Sequence, residues 1–181
     1  MIHVCTPYDI HKNLARAYNS AFRMIGEDEW LCVHDWDIQF LLPETIKHLH
    51  EYPQHFADAA VFTCFTNRSH VNSKMQLLGG VVSENTDILY HIDRAQEQTR
   101  HLYKATEIRQ HISGFLMLIS KKTWNEIPFE ETYQYGGCLG IDTMFSQKLL
   151  AKGKKIYRMD GVYCFHQYRI VNGVKNKDHL L

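Results

Sequence analysis

Trp30-Leu31-Cys32-Val33-His34-Asp35-Trp36-Asp37 joins an apolar, strand-like run to a pair of acidic residues. Strand side chains alternate between faces, so a strand reaching Asp37 would point Asp35 and Asp37 one way and Trp36 the other. At a rise of about 3.3 Å per residue their Cα atoms would lie roughly 6.5–7 Å apart. Two like charges that close, at the end of an apolar strand, call for a cation or a proton between them. A hard divalent ion that also grips a substrate diphosphate answers both needs.

Outward from this stretch, strands and helices alternate. Ile2–Thr6 reads as a short strand ended by Pro7. Leu14, Ala17, Tyr18, Ala21 and Ile25 mark an apolar stripe on a helix over Lys12–Ile25, stopped by Gly26. Pro43 suits the first turn of a helix through about Glu51, with Pro53 barring continuation. Ala59–Phe65 is a third strand, Asn67–Ser73 a polar loop, and Leu77–Val82 a weak strand interrupted by Gly79-Gly80. Thr86–Lys104 has helical character. Gly114–Ser120 is a strand that leads into a short helix at Lys121–Glu126. The Gly-rich turn 136–140 precedes a helix over Ile141–Lys152, and Lys155–Arg158 and Val162–Phe165 are short strands. This order predicts an α/β fold: a mainly parallel, Rossmann-like sheet with helices on both faces, in one domain over residues 1–168. Residues 169–181 form a polar tail, which reads equally as a lid over a bound ligand and as a frayed end.

Composition narrows the function classes. The chain has 181 residues, 45% apolar and 22% charged, and its formal net charge is zero with histidine neutral. Broad electrostatic attraction to nucleic acid or an anionic membrane is therefore not expected. Five widely spaced cysteines without a Cys-x-x-Cys pair read as free thiols in a reducing compartment. No apolar run reaches the roughly 18–20 residues of a membrane helix, and the first residues do not form a signal peptide. The expectation is a cytoplasmic protein.

Three segments are candidates to meet at one site: Asp35/Asp37, the Gly-rich turn with Asp142, and the run from Cys164 through His166 to Arg169. Singly, each has an ordinary reading. Asp-x-Asp can be a solvated strand end, Asp142 a first-turn charge favoured by the helix dipole, and His166 a core histidine.

Their order and spacing resemble the nucleotide-sugar-dependent glycosyltransferases of the GT-A fold. The likeness is to the inverting family 2 group, with a further likeness to the polypeptide N-acetylgalactosaminyltransferases. It is carried by residues 13–19, 30–37, 114–124, 136–142, 153–156 and 162–169. The resemblance implies that Asp35-Trp36-Asp37 is the family's Asp-x-Asp motif. Asp37 would ligate the ion directly, and Asp35 would contact ribose or the ion. By the same resemblance His166 is the third metal ligand, Arg169 touches the diphosphate, and Asp142 is the catalytic residue, the base of an inverting reaction. Thr6, Pro7 and Tyr8 would line the nucleotide, with Arg16 and Asn19 as further candidates on the first helix. The cofactor implied is Mn²⁺ or Mg²⁺, the donor a nucleoside diphosphate-sugar (a UDP-sugar first), and the acceptor a carbohydrate, a lipid-linked group or a protein.

Three departures from the family stand out. The carboxylate pair expected near the catalytic position is reduced to Asp142 alone, with Ile141 before it. The strand that usually carries base recognition, between the first helix and the Asp-x-Asp strand, has no counterpart between Ile25 and Trp30. The chain also stops soon after Arg169, so the expectation is that an acceptor-binding domain or membrane anchor is either missing or supplied by another protein. Two other classes remain open. One is a nucleotidyltransferase that makes nucleotide sugars, although Thr6-Pro7-Tyr8-Asp9 lacks the glycine and lysine of a nucleotide loop. The other is a non-catalytic nucleotide-sugar- or carbohydrate-binding protein. Tyr133, Tyr135, Tyr103 and Trp124 are candidates for an acceptor groove, although Trp124, on a short helix after a strand, reads first as core.

Overall fold

The computed structural model describes residues 1–69, 73–132 and 140–167, together with the backbone pairing of 170–171 with 174–175. The element order is β1 (Ile2–Cys5), α1 (Leu14–Arg23), β2 (Trp30–His34), β3 (Ile38–Phe40), α2 (Thr45–His55), β4 (Ala59–Thr66), α3 (Ile88–Gln98), β5 (Ala105–Ile108), β6 (Leu116–Ser120), α4 (Lys121–Glu126), α5 (Ile141–Ala151) and β7 (Lys155–His166). β8 (Ile170–Val171) and β9 (Val174–Lys175) pair separately as an antiparallel hairpin.

The seven larger strands form one open sheet in the order β1-β2-β6-β4-β7-β3, with β5 also on β7. The fold is α/β as the alternation predicts, but the sheet is mixed and not mainly parallel. β1–β2 and β4–β7 are parallel, whereas β2–β6, β4–β6, β3–β7 and β5–β7 are antiparallel. The reason lies in the connections. β1, β2, β4 and β7 run the same way, and the path into each of the last three contains a helix. β3 and β5, absent from the sequence reading, run against them. β3 follows β2 after only a tight turn, which reverses the chain where a helical crossover would have kept its direction.

Other boundaries move for local reasons. The expected strand around Leu77–Val82 is two 3₁₀ turns, with Gly79 and Gly80 at φ of 70° and 74°, and only Leu77 bridges to Thr66. α2 runs through Pro53 to His55, because a proline so near the helix end removes a single ladder bond. The two short strands expected within 155–165 are halves of one strand, β7. They meet at a register shift where Cys64 pairs with Met159 and Phe65 with Tyr163.

Both faces of the sheet are covered. Leu31 and Val33 of β2 and Met117 and Ile119 of β6 face Tyr18, Phe22 and Phe145. Their alternating neighbours Cys32, Leu116 and Leu118 face Leu49 and Tyr52 of α2. Trp124 packs in this structure as core, stacked on Phe22 at 5.4 Å between ring centroids. Cys5, Cys32, Cys64 and Cys164 are free thiols. Among the described residues no helix is long and apolar enough to cross a membrane.

Candidate metal centre

Strand direction assembles the site. The carboxyl ends of β1, β2, β4 and β7 all open at one end of the sheet, the usual place for a ligand in such folds. The amino ends of β3 and β6 are there too. Asp35 follows the last residue of β2, and Asp37 precedes the first residue of β3. The two are not alternate residues of one strand. They sit in a tight turn, in which the Ile38 N–H donates to the Asp35 carbonyl at 3.2 Å. The turn then pairs with the end of β7: Ile38 lies opposite His166, and the Gln167 N–H donates to the Asp37 carbonyl at 3.0 Å. Trp36, at the tip, is 81% exposed.

Asp35, Asp37 and His166 therefore come together, with one ligand atom from each all within 4.8 Å of one another. His166 Nε2 is 3.3 Å from Asp37 Oδ1 and 3.9 Å from Asp35 Oδ2. Two ligands about 2.1 Å from an ion and at roughly 90–120° to each other would be about 3.0–3.6 Å apart, so small adjustments would seat a divalent cation. His166 Nδ1 lies 3.0 Å from the Arg68 carbonyl oxygen. That oxygen can only accept, so Nδ1 carries the proton, and in the neutral ring Nε2 offers a lone pair to an ion. Two carboxylates and one imidazole are a donor set that could hold a divalent cation.

The charges here are confined. Asp35 is half-buried over the core, and its carboxyl pKa is pushed up to about 6. Loss of hydration is the main cause; His166 opposes it, and the charges of Asp37 and Asp142 add to it. Asp142, in the first turn of α5, stands within that electrostatic reach. Its Oδ2 accepts the Gly114 N–H at 2.8 Å and its Oδ1 accepts the Thr143 N–H at 2.7 Å. A Cβ on Gly114 would come 2.9 Å from the Asp142 Cβ, so only glycine permits this approach.

Loop 112–115 ties Asp142 to the three clustered residues. The Ser113 N–H donates to Gln76 Oε1 at 2.7 Å, and Gln76 Nε2 returns a bond to the Ser113 carbonyl at 3.0 Å. The Phe115 carbonyl accepts the Asp35 N–H at 2.9 Å, and the Phe115 ring lies 5.4 Å from the His166 ring. Buried Gln76 carries no signal in the sequence, where it falls between the polar loop Asn67–Ser73 and the strand expected over Leu77–Val82. Asn67 likewise lies in what reads as a polar loop.

The remaining candidates are dispersed around this centre. Thr6 Oγ is 3.3 Å from His34 Nε2, beside the start of the turn, while Pro7 is half-buried and Tyr8 is 83% exposed. The Arg16 guanidinium forms a two-pronged pair with Asp9 at 2.6 and 2.7 Å, which holds the Asp9 carboxyl well below the usual range. Asn19 is buried, with its carboxamide joining α1 to Trp124, Phe129 and Glu131. Those bonds give it a packing role. Tyr103 donates to Glu51 at 2.7 Å, over α2. Arg169, Tyr133, Tyr135, residues 136–139 of the Gly-rich turn, and the side chains of the 169–181 tail lie outside the described residues. Two open grooves, about 640 Å³ beside Phe129 and about 370 Å³ beside Trp30, include none of the three clustered residues. No protein-family model and no curated protein matches the chain in sequence.

Proposed function

We propose that this chain is a GT-A-type glycosyltransferase. It would transfer a sugar from a nucleoside diphosphate-sugar, most simply a UDP-sugar, to an acceptor hydroxyl with inversion, using Mn²⁺ or Mg²⁺. The observation that carries this reading is the meeting, within 4.8 Å, of Asp35 and Asp37 from the β2–β3 turn with His166 from the end of β7. The order of motifs resembling that enzyme class adds the substrate.

A divalent ion bound there supplies Lewis-acid neutralisation of the charge on a departing diphosphate. Asp35, Asp37 and His166 hold that positive charge at the sheet end. Asp142, on a different element, takes the proton from the acceptor hydroxyl and so makes its oxygen a better nucleophile. Gly114 fixes the direction of the Asp142 carboxylate through the hydrogen bond to Oδ2. Tyr8 and Trp36, both largely exposed at the same end, offer flat faces to a base or a sugar ring.

The test is thermal unfolding with Mn²⁺ and a panel of UDP-, GDP- and dTDP-sugars, followed by transfer and hydrolysis assays. A donor that raises Tm only when metal is present supports the assignment; no metal-dependent shift with any donor removes it. Asp37→Asn should lose metal-dependent donor binding while keeping its fold by circular dichroism. Asp142→Asn should keep donor binding and slow transfer by a hundredfold or more, in the range of about 10²–10⁴ for a general base.

One observation favours a second reading, a nucleotide-sugar-binding protein without transfer. Both oxygens of Asp142 already accept backbone hydrogen bonds, which engage part of the lone-pair capacity that a base would offer to an acceptor hydroxyl. Metal-dependent donor binding without turnover on any acceptor, including water, would select that reading.

A further inference from the structure

One turn grips His166 at two points. At the end of β4 the Asn67 side-chain oxygen accepts the His166 backbone N–H at 2.8 Å and the Thr66 hydroxyl at 3.2 Å. One residue later the Arg68 carbonyl accepts the ring Nδ1–H at 3.0 Å. The turn is itself held from behind. The Ser83 N–H donates to the Asn67 carbonyl at 2.9 Å, and the Arg68 side chain, 4% exposed, pairs with Glu84 at 2.7 Å.

The burial of Asn67 is informative. It is 2% exposed, and its amide nitrogen donates to nothing among the described residues. Its contribution therefore lies in the oxygen that holds His166. A donor left idle in the interior costs free energy, typically about 1–3 kcal/mol, so the position is not explained by packing alone.

We infer that Asn67 is a positioning residue for the cation centre. It sets the end of β7 against the turn so that the Arg68 carbonyl keeps the His166 proton on Nδ1 and an unprotonated Nε2 faces Asp35 and Asp37. This rests on the reading of those three residues as metal ligands. A free imidazole side chain favours the opposite tautomer, with the proton on Nε2. There the proton would meet Asp37 Oδ1, 3.3 Å away, and occupy the place of the ion. Without the Asn67 oxygen, the turn and β7 lose the bond that fixes their spacing, and the ring is free to adopt that tautomer.

The experiment uses the whole chain at pH 8, with Mn²⁺ as the probe. Mn²⁺ affinity is measured by electron paramagnetic resonance of the free ion. The tautomer is read from the imidazole nitrogen shifts of chain labelled with ¹⁵N-histidine, the His166 signals being assigned with His166→Gln. The wild type should bind Mn²⁺ and show His166 with its proton on Nδ1. Asn67→Leu should bind Mn²⁺ about ten- to a hundredfold more weakly, the range seen when a partner behind a metal ligand is lost, and should gain the Nε2–H signal. Asn67→Asp, which retains an acceptor oxygen, should recover most of the affinity. A metal-free wild type with an Nε2–H or doubly protonated ring overturns the inference, even if Asn67→Leu fails to fold. A wild type that binds Mn²⁺, beside an Asn67→Leu variant of equal affinity, overturns the positioning role alone. A wild type that binds no Mn²⁺ overturns both this role and the metal reading beneath it.

Discussion

Asp35 carries two opposite dependences on pH. Burial and the neighbouring acidic charges hold its pKa near 6 in the metal-free fold, while in an unfolded chain it would titrate near 4. Between those values the folded state binds the extra proton. Stability of the metal-free protein should therefore fall as pH rises from about 4 to about 6, as Asp35 is forced to ionise in the fold. Metal affinity should move the other way, tightening as pH rises through about 6 and levelling off above it. Calorimetry in buffers of different ionisation heat would count the proton released on binding, and no release near pH 6 would contradict this account. Gly114 makes a separate residue-scale prediction. Gly114→Ala drives a methyl group into the Asp142 Cβ, so it should destabilise the fold by about 1–3 kcal/mol and lower Tm. That Asp35, Asp37 and His166 belong together was legible only through the order of the motifs and the family resemblance they carry, since each has an ordinary reading by itself. That Asn67, Gln76 and Gly114 support the centre was not, because each acts through a backbone group whose location only the fold supplies.

At the scale of elements, the turn between β2 and β3 is what periodicity could not foresee. Apolar residues flank Asp35-Trp36-Asp37 on both sides, so the pattern reads as strand running into loop, and three-residue β3 is too short to show alternation. The two carboxylates still converge, by chain reversal instead of by side-chain alternation. β5 was hidden for a similar reason: Ala105-Thr106-Glu107-Ile108 is half polar and follows a helix without a clear stop signal. The register shift in β7 was half visible, since the expected break between two short strands falls on it. Gly161 there lets β7 meet the turn after α3, where a Cβ would lie 2.6 Å from the Leu102 backbone. Its N–H also donates to the Tyr52 hydroxyl at 3.0 Å. Gly161→Ala should therefore destabilise the chain by about 2 kcal/mol or more, read as a lower urea midpoint with an unchanged slope.

Across the whole molecule, every strand that contributes to the candidate centre ends or begins at one edge of the sheet, so binding there should stiffen elements from both halves of the sequence. The helix-linked strands β1, β2, β4 and β7 were readable because hydrophobic runs and helical stripes alternate along the chain. The mixed direction of the sheet was not, because periodicity reports an element's type and says nothing of its partner. A cation bound only by the folded state stabilises it by mass action, about 2.7 kcal/mol at a hundredfold excess over Kd. In a 181-residue chain that corresponds to a rise in Tm of roughly 5–10 °C. Differential scanning fluorimetry with Mn²⁺, and with EDTA as the reversal, would measure it. Trp36 makes the event visible in another way. Its indole stands in water at the tip between the two acidic residues, whereas Trp30 and Trp124 are held half-buried by aromatic neighbours. A paramagnetic ion settling beside Trp36 should quench the red-edge part of the protein's emission and spare the rest, giving the chain an optical gauge of its own occupancy without any attached dye.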